Sequence, residues 1–256
     1  MSRLTHKMDA ASTIRQFVKE VTRRREQCAS DPGLTVALRE LKLFQARRFA
    51  NSYQDILGAG PYMAAARFFL DELYGAKDYS ERDAQFSRIA GALQRVFPED
   101  VVQTAVALAE LHALSEDLDF QMAQIWRAPH IENVGNEAKR YVNAWAKVGR
   151  RSDRARQVDM VLTVGAELER LTRATGLRLM LKMMRRPAQL AGLGSLQAFL
   201  ELGFDTFATM SKHPNAATKF LQLIQSRETT LIDVLFRADS AEACTALKVS
   251  GSLEFP

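Results

Sequence analysis

The sequence predicts an all-α fold, a single compact domain of about nine or ten helices. Apolar residues recur at helical spacing along nearly the whole chain, and no stretch shows the sustained alternation that is typical of strands. Gly and Pro separate these periodic segments, as they do at helix ends. A length of 256 residues, with 47% hydrophobic and 25% charged residues, suits one folded domain and argues against disorder.

Five helices are expected in the first half of the chain. Their apolar stripes run over 14–21, 34–56, 62–74, 86–97 and 101–126. Breaks are expected at 31–33 and 58–60, near Gly75, near Ser80 and at Pro98, where Pro, Gly or a capping residue interrupts the pattern.

The second half predicts five more helices and a loose end. The stripes run over 138–148, 158–171, 177–184, 196–207 and 220–236, with Ser152 and Asn215 expected at helix starts. The helical domain is expected to cover 1–238, with an internal boundary near 149–153, and 239–256 reads as a tail.

Composition excludes several classes of protein. Charged residues interrupt every apolar stretch well before the ~20 residues that a bilayer span needs, and the first residues show no secretory signal. Cys28 and Cys244 suit free thiols in a reducing compartment, so we expect a cytoplasmic protein. Common phosphate-loop, zinc and hydrolase motifs do not occur in the sequence, and neither cofactor nor catalytic residue is predicted.

The positive charge of the chain is concentrated in one block. Residues 139–186 hold 13 Lys and Arg against 4 Asp and Glu, whereas 101–138 hold 1 against 6. One interpretation is a basic interaction face at Arg150, Arg151, Arg154 and Arg156; the other is pairing with the acidic segment inside the same fold. Nucleic-acid binding lacks a supporting motif. The 170–186 segment also fits a short amphipathic helix at a lipid surface.

His112 is the one histidine expected to point inward. Val101, Ala105, Leu108 and Ser115 share its helical face. The 108–114 string resembles the segment that supplies the proximal haem ligand in globins, which would make His112 an axial ligand of haem iron. The alternative is a histidine at the core edge, hydrogen-bonded to backbone or to Glu116.

Arg67 stands four residues before Asp71 on an otherwise apolar segment. Because a charge on a buried helix needs a partner, an internal ion pair between them is one interpretation. The other is that Arg67, Tyr74 and His112 converge on a pocket for an anionic ligand.

Three stretches resemble an uncharacterised family of helical proteins from proteobacteria. They are FFLDELYG at 68–75 with its following 79–83, GLGSLQAFLE at 192–201, and 220–228. The resemblance implies a bacterial, cytoplasmic protein and implies no activity. The function that the sequence favours is a non-catalytic protein-interaction or regulatory module with a basic face, and a homo-oligomer is compatible with it. The competing hypothesis is a helical protein that encloses haem or an anionic small molecule near His112.

Overall fold

A computed structural model describes residues 9–73, 77–127, 137–174, 176–237 and 240–247. Every regular element within these ranges is helical, which confirms the predicted fold class. None of the described helices is both long and apolar enough to cross a membrane. The helices are α1 Ala10–Ala29, α2 Pro32–Ser52, α3 Gln54–Leu57, α4 Met63–Phe68, α5 Ser80–Val96, α6 Glu99–Trp126, α7 Glu137–Val148, α8 Arg151–Thr172, α9 Leu177–Met183, α10 Arg185–Leu190, α11 Gly194–Met210, α12 Ala216–Arg237 and α13 Ser240–Ala246.

Local sequence signals set several helix ends. The side chains of Asp9 and Asp31 accept hydrogen bonds from backbone N–H groups in the first turns of α1 and α2. Pro32 is the first residue of α2, where a missing N–H costs nothing. Gly149 ends α7 with a φ of 64°, a left-handed conformation that favours glycine. The predicted break at 31–33 and the predicted end of the 138–148 helix are confirmed.

The structure differs from the predicted elements in the first half at two places. The stripe over 34–56 is divided at Tyr53 into α2 and α3. The stripe over 62–74 consists of α4 and a π-helical turn, Phe69–Leu73. A π turn bonds residue i to i+5, so residues after Phe68 occupy different faces from those that a regular helix would give them.

Three differences fall in the second half. Ser152 lies inside α8, whose N-cap is Arg150 with a φ of 56°. The short helix α10 was not predicted, and Pro187 lies in its first turn, where proline is tolerated. Part of the predicted tail is helical: α13 packs against α7 and α12, and Ala243 and Leu247 are fully buried. Residues 248–256, including Leu253 and Phe255, lie outside the described residues.

The buried apolar residues form three clusters. The first joins the start of α2, the end of α6, α7, the end of α12 and α13. The second joins the end of α2, α4, α11 and the start of α12, and the third joins α1, α5 and the start of α6. Helix α12 comes close to α8 at Gly165, where an added Cβ would lie 2.6 Å from a methyl group of Leu221. Helix α6 contributes to two of the clusters and contacts α1, α2, α7 and α8, so it is the central helix of the fold.

Candidate functional site

A cavity of about 410 Å³ lies among the three clusters. Protein interiors are normally close-packed, with few voids larger than a water molecule, so a space of this size is a distinctive feature. Helices α5 and α6 form one wall, and α8, α9, α10 and α11 form another. Its apolar lining includes Phe86, Leu93, Leu108, Val161, Leu168, Leu181, Leu193 and Phe204. We call this space the central cavity.

One face of α6 supplies a continuous strip of the cavity wall. Val101, Ala105, Leu108, His112 and Ser115 all line the central cavity. These residues recur at three- and four-residue spacing and therefore share one side of the helix. The prediction that His112 points inward with this face is confirmed.

Buried and partly buried charged and amide side chains form a second part of the wall. The polar cluster consists of Lys42, Gln45, Arg48, Glu116, Asp119, Arg154 and Glu228, and every member lines the central cavity. Helices α2, α6, α8 and α12 each contribute to it. The cavity therefore combines an extended apolar wall with a concentrated polar one.

Helices α2 and α6 are joined by two contacts in the polar cluster. Lys42 Nζ lies 2.6 Å from Glu116 Oε1, and Gln45 Nε2 donates to Asp119 Oδ1 at 2.9 Å. Burial alone would raise the pKa of Glu116, but Lys42, together with the more distant His112 and Arg25, outweighs it and holds this pKa below its ordinary value. Burial raises the pKa of Asp119 and the nearby Glu116 charge adds to the rise, which the charges of Lys42 and Arg154 and the hydrogen bond from Gln45 only partly oppose.

The remaining cations of the polar cluster are anchored deep in the protein. Arg48 Nη1 lies 2.6 Å from Glu228 Oε1, which also accepts a hydrogen bond from Tyr53 Oη at 2.9 Å. Arg154 is 4% exposed; its guanidinium lies 4.2 Å from the centre of the Trp145 ring. Such contacts fix both guanidinium groups relative to the cavity wall.

His112 belongs to a separate set of polar contacts between α1, α5 and α6. Its Nε2 lies 2.8 Å from Asp83 Oδ2, and Arg25 Nη2 lies 2.6 Å from the same oxygen. Burial alone would raise the pKa of Asp83, but His112 and Arg25 outweigh it and lower this pKa. The predicted alternative partner, Glu116, binds Lys42 instead, so the hydrogen-bonded histidine is confirmed in kind but not in partner.

The hydrogen bond between His112 and Asp83 bears on the expectation that His112 is an axial haem ligand, as in globins. A haem iron binds an imidazole nitrogen, and Nε2 of His112 is already in hydrogen-bond contact with Asp83. The arrangement resembles a structural histidine held by a carboxylate more than an exposed axial ligand. Haem binding stays a prediction from the sequence.

Arg82, which precedes Asp83 on α5, also lines the central cavity. The guanidinium of Arg82 lies 4.1 Å from the ring centre of Tyr79 and 4.2 Å from that of Phe199. Glu72 is its carboxylate partner at 3.4 Å. Burial raises the pKa of Tyr79 to about 12, so its hydroxyl stays protonated at neutral pH.

Arg67 is not part of the cavity. It is exposed, it does not line the space near His112, and its predicted ion pair with Asp71 is not among the ion pairs of the described residues. Arg67 shares the exposed face of α4 with Met63 and Ala64, and the π-helical turn that starts two residues later rotates Asp71 to another face. The structure thus corrects the predicted convergence, bringing His112 to the cavity and leaving Arg67 outside. Tyr74 lies outside the described residues.

Carboxylates of the same chain accompany the basic block. Arg150 lies 2.5 Å from Asp117 and 2.6 Å from Asp153. Arg156 pairs with Glu110, again from the acidic segment, and Arg151 pairs with Asp233. Internal pairing, the second interpretation of this charge, accounts for these contacts.

Arg154 requires a correction within the predicted basic face. At 4% exposure it lies in the polar cluster and not on the surface. It stands one helical turn before Val158, and both line the central cavity. That spacing was a usable signal, but the abundance of arginines around 150–156 favoured a solvated surface.

The sequence also left most of the polar cluster unrecognised. Gln45 follows Leu41 by four residues, and Arg48 follows Gln45 by three, so all three share one face of α2. Asp119 continues the inward face of α6 one turn beyond Ser115. Following these faces past their apolar residues would have identified the polar wall. Among the described residues, no group of three or more His, Cys, Asp or Glu side chains could hold a metal ion.

Comparisons with other proteins establish the family. No curated protein and no solved structure matches the chain. A family described as "Domain of unknown function (DUF8198)" matches residues 23–242. This range covers all of the central cavity's lining except Val18, and it includes the whole polar cluster. Since it spans most of the sequence, the chain belongs to the DUF8198 family.

Proposed function

We propose that this protein binds one mostly apolar small molecule in the central cavity and acts through binding and not through catalysis. The observation that carries the proposal is the cavity itself, about 410 Å³ of space with a largely apolar wall and one polar wall. Sites for small molecules are typically about 300–1,000 Å³, mostly apolar, with a few placed polar groups.

The free energy of an empty cavity supports an occupant. The side chains that line this space lack packing partners on one side, and those dispersion contacts are lost while the space is unfilled. Water occupies cavities that offer it several polar partners, and the apolar wall around Leu108, Val161 and Phe204 offers few. A ligand with an apolar body would restore the missing contacts.

The polar wall indicates the kind of polar group that the ligand carries. Lys42, Arg48 and Arg154 place three cations there, opposite carboxylates of which Asp119 has a raised pKa. Trp145 also lines the cavity, and its buried Nε1 has no hydrogen-bond partner among the described residues. Since Lys42 and Arg48 are paired with carboxylates of the chain, the indole N–H of Trp145 is the donor that favours a hydrogen-bond acceptor on the ligand.

A protein-interaction module with a basic face stays a prediction, as do bacterial origin, cytoplasmic location and self-association. We rank it second because Arg150, Arg151 and Arg156 pair with carboxylates of the same chain, which reduces the charge that they offer to a partner.

Native mass spectrometry of freshly purified, untagged protein tests the ligand proposal. We expect a non-covalent mass that is lost on denaturation and that extraction identifies as an apolar molecule with an acceptor group. A chain that carries no extra mass and gains no thermal stability from a panel of fatty acids would contradict the proposal.

A variant pair tests which residues contact the ligand. Arg48→Met removes a cavity cation; Arg39→Met, at an exposed position of α2 that does not line the cavity, is the matched control. His112→Ala with His213→Ala as its exposed control tests the histidine in the same way. Unchanged ligand content in Arg48→Met and His112→Ala would place the ligand elsewhere.

A further inference from the structure

Helices α9 and α10 expose an unusual set of apolar side chains. Leu179, Met183 and Leu190 are 62%, 65% and 91% exposed. None of the residues of helix α9 is fully buried, although the helix is rich in Leu and Met. Single exposed apolar residues are ordinary, but three on adjacent short helices indicate a contact surface.

Cations lie among these apolar side chains. Residues 177–190 contain four Lys and Arg and neither Asp nor Glu. Arg178 and Arg185 are paired with Asp205 and Glu201 of α11, which attach the two short helices to the domain. Lys182 and Arg186 are exposed, and the ion pairs of the described residues include neither of them. We define the docking surface as Leu179, Lys182, Met183, Arg186 and Leu190.

The opposite side of α9 and α10 belongs to the central cavity. Leu177, Leu181 and Ala188 line that space. The chain that follows α10 is fixed to α5, where Arg88 Nη2 donates to the carbonyl oxygen of Gly192 at 2.6 Å. The apolar content of α9 and α10 is therefore divided between an inner face over the cavity and an outer face toward solvent.

We propose that the docking surface binds the surface of an anionic lipid bilayer. Amphipathic helices at bilayer surfaces combine Leu, Met or aromatic side chains that enter the acyl boundary with Lys and Arg that contact lipid phosphates. The docking surface has both components within two short helices. The proposal does not depend on the ligand of the central cavity, because it rests on side chains that point away from it.

A bilayer fits this surface better than a nucleic acid does. The phosphate backbone would use Lys182 and Arg186 but would leave Leu179, Met183 and Leu190 in water. An anionic bilayer satisfies both the cations and the aliphatic side chains. Docking would also place the helices that cover the central cavity against the membrane.

Co-sedimentation with vesicles tests the proposal. The full chain is mixed with vesicles of pure phosphatidylcholine and with vesicles of equal parts phosphatidylserine and phosphatidylcholine. We expect binding to the second set only, weakening as salt is added. Lys182→Glu/Arg186→Glu should reduce the partition coefficient by about 30-fold or more. The matched control is Lys19→Glu/Arg23→Glu, which changes the same residue types at the same spacing on an exposed part of α1 and should bind as the parent does.

A second pair of variants tests the contribution of the exposed apolar side chains to vesicle binding. Leu190→Gln should weaken vesicle binding by about tenfold, whereas Val36→Gln, at an exposed position on α2, should not. Absence of binding to the phosphatidylserine vesicles would overturn the proposal, and so would equal losses in the docking-surface and control variants. A mixed-sequence duplex DNA or a second copy of the chain that binds through these residues while vesicles do not would overturn it as well.

Discussion

Filling the central cavity from the α6 face should stabilise the ligand-free protein. Ala105 lines the cavity and is only partly buried, so a larger side chain at this position has space to enter. Ala105→Leu adds three carbon atoms. At about 0.8 kcal/mol per buried methylene, their transfer from water contributes roughly 2 kcal/mol.

Two smaller terms reduce this gain. Ordering a leucine side chain costs about 0.5–1 kcal/mol, and leucine is a slightly weaker helix former than alanine. The expected net change is therefore a stabilisation of about 1 kcal/mol. Had Ala105 faced a close-packed core, the same substitution would cost about 1–3 kcal/mol through overpacking.

A matched control comes from the neighbouring helix. Ala90 on α5 is fully buried in the third apolar cluster and does not line the central cavity. Ala90→Leu should therefore destabilise the protein by about 1–3 kcal/mol. The two variants make the same chemical change, and we expect them to change the free energy of unfolding in opposite directions.

Urea unfolding of protein refolded from denaturant measures the difference without a retained ligand. The free energies of unfolding are comparable when the three proteins have similar denaturant slopes. Equal destabilisation by Ala105→Leu and Ala90→Leu would refute the reasoning, because it would mean that the space beside Ala105 is packed. If a ligand uses this space, Ala105→Leu should also reduce the extra mass in native mass spectrometry.

Three further predictions concern buried ionisable groups. Glu228→Leu should lower the free energy of unfolding by about 3–5 kcal/mol because it leaves the Arg48 charge in a buried site, and adding Arg48→Met should recover part of the loss; urea unfolding measures both. Asp83 has a lowered pKa, so its stabilisation is complete above about pH 4 and is lost as the pH falls through the lowered folded-state value; Asp83→Asn should be less stable at neutral pH and show a flatter acid limb in a pH series. Asp119 has a raised pKa, so its contribution is complete below about pH 4 and is lost as the pH rises through the raised value; Asp119→Asn should be more stable than the parent at pH 7, and an unchanged or lower stability would contradict the burial argument.

Apolar periodicity predicted the helices well where the helices are regular. The α6 stripe identified the end at Trp126 and the inward position of His112, because 28 residues of one helix keep a constant relation between sequence spacing and helical face. The same reasoning failed for Arg67. One π-helical turn after Phe68 interrupts that relation, and the 62–74 stripe carries no residue that signals it.

Helical periodicity places members of the polar cluster on inward faces, but it does not identify their partners. Arg48 and its partner Glu228 are 180 positions apart in the sequence. The residues near either one therefore do not indicate that the two form an ion pair. Arg154 shares the inward spacing of Val158, but an arginine within an arginine-rich segment is ordinarily exposed. Burial of such residues depends on how α2, α6, α8 and α12 come together, which is a property of the tertiary structure.

The free energy of these buried charges supports a binding function. Replacing a buried ion pair with well-packed apolar residues is often neutral or stabilising, so Lys42 with Glu116 and Arg48 with Glu228 are poor devices for stability alone. Their placement is selective, because they line one wall of the central cavity while Leu and Phe side chains line the others. A ligand that carries an acceptor group would meet a polar wall whose side chains are already fixed by their mutual contacts, so binding would need little reorganisation. The polar cluster is then desolvated during folding, before the ligand binds. Ligand binding does not repeat this unfavourable step, so the contacts with the polar wall contribute to affinity and fix the ligand's orientation.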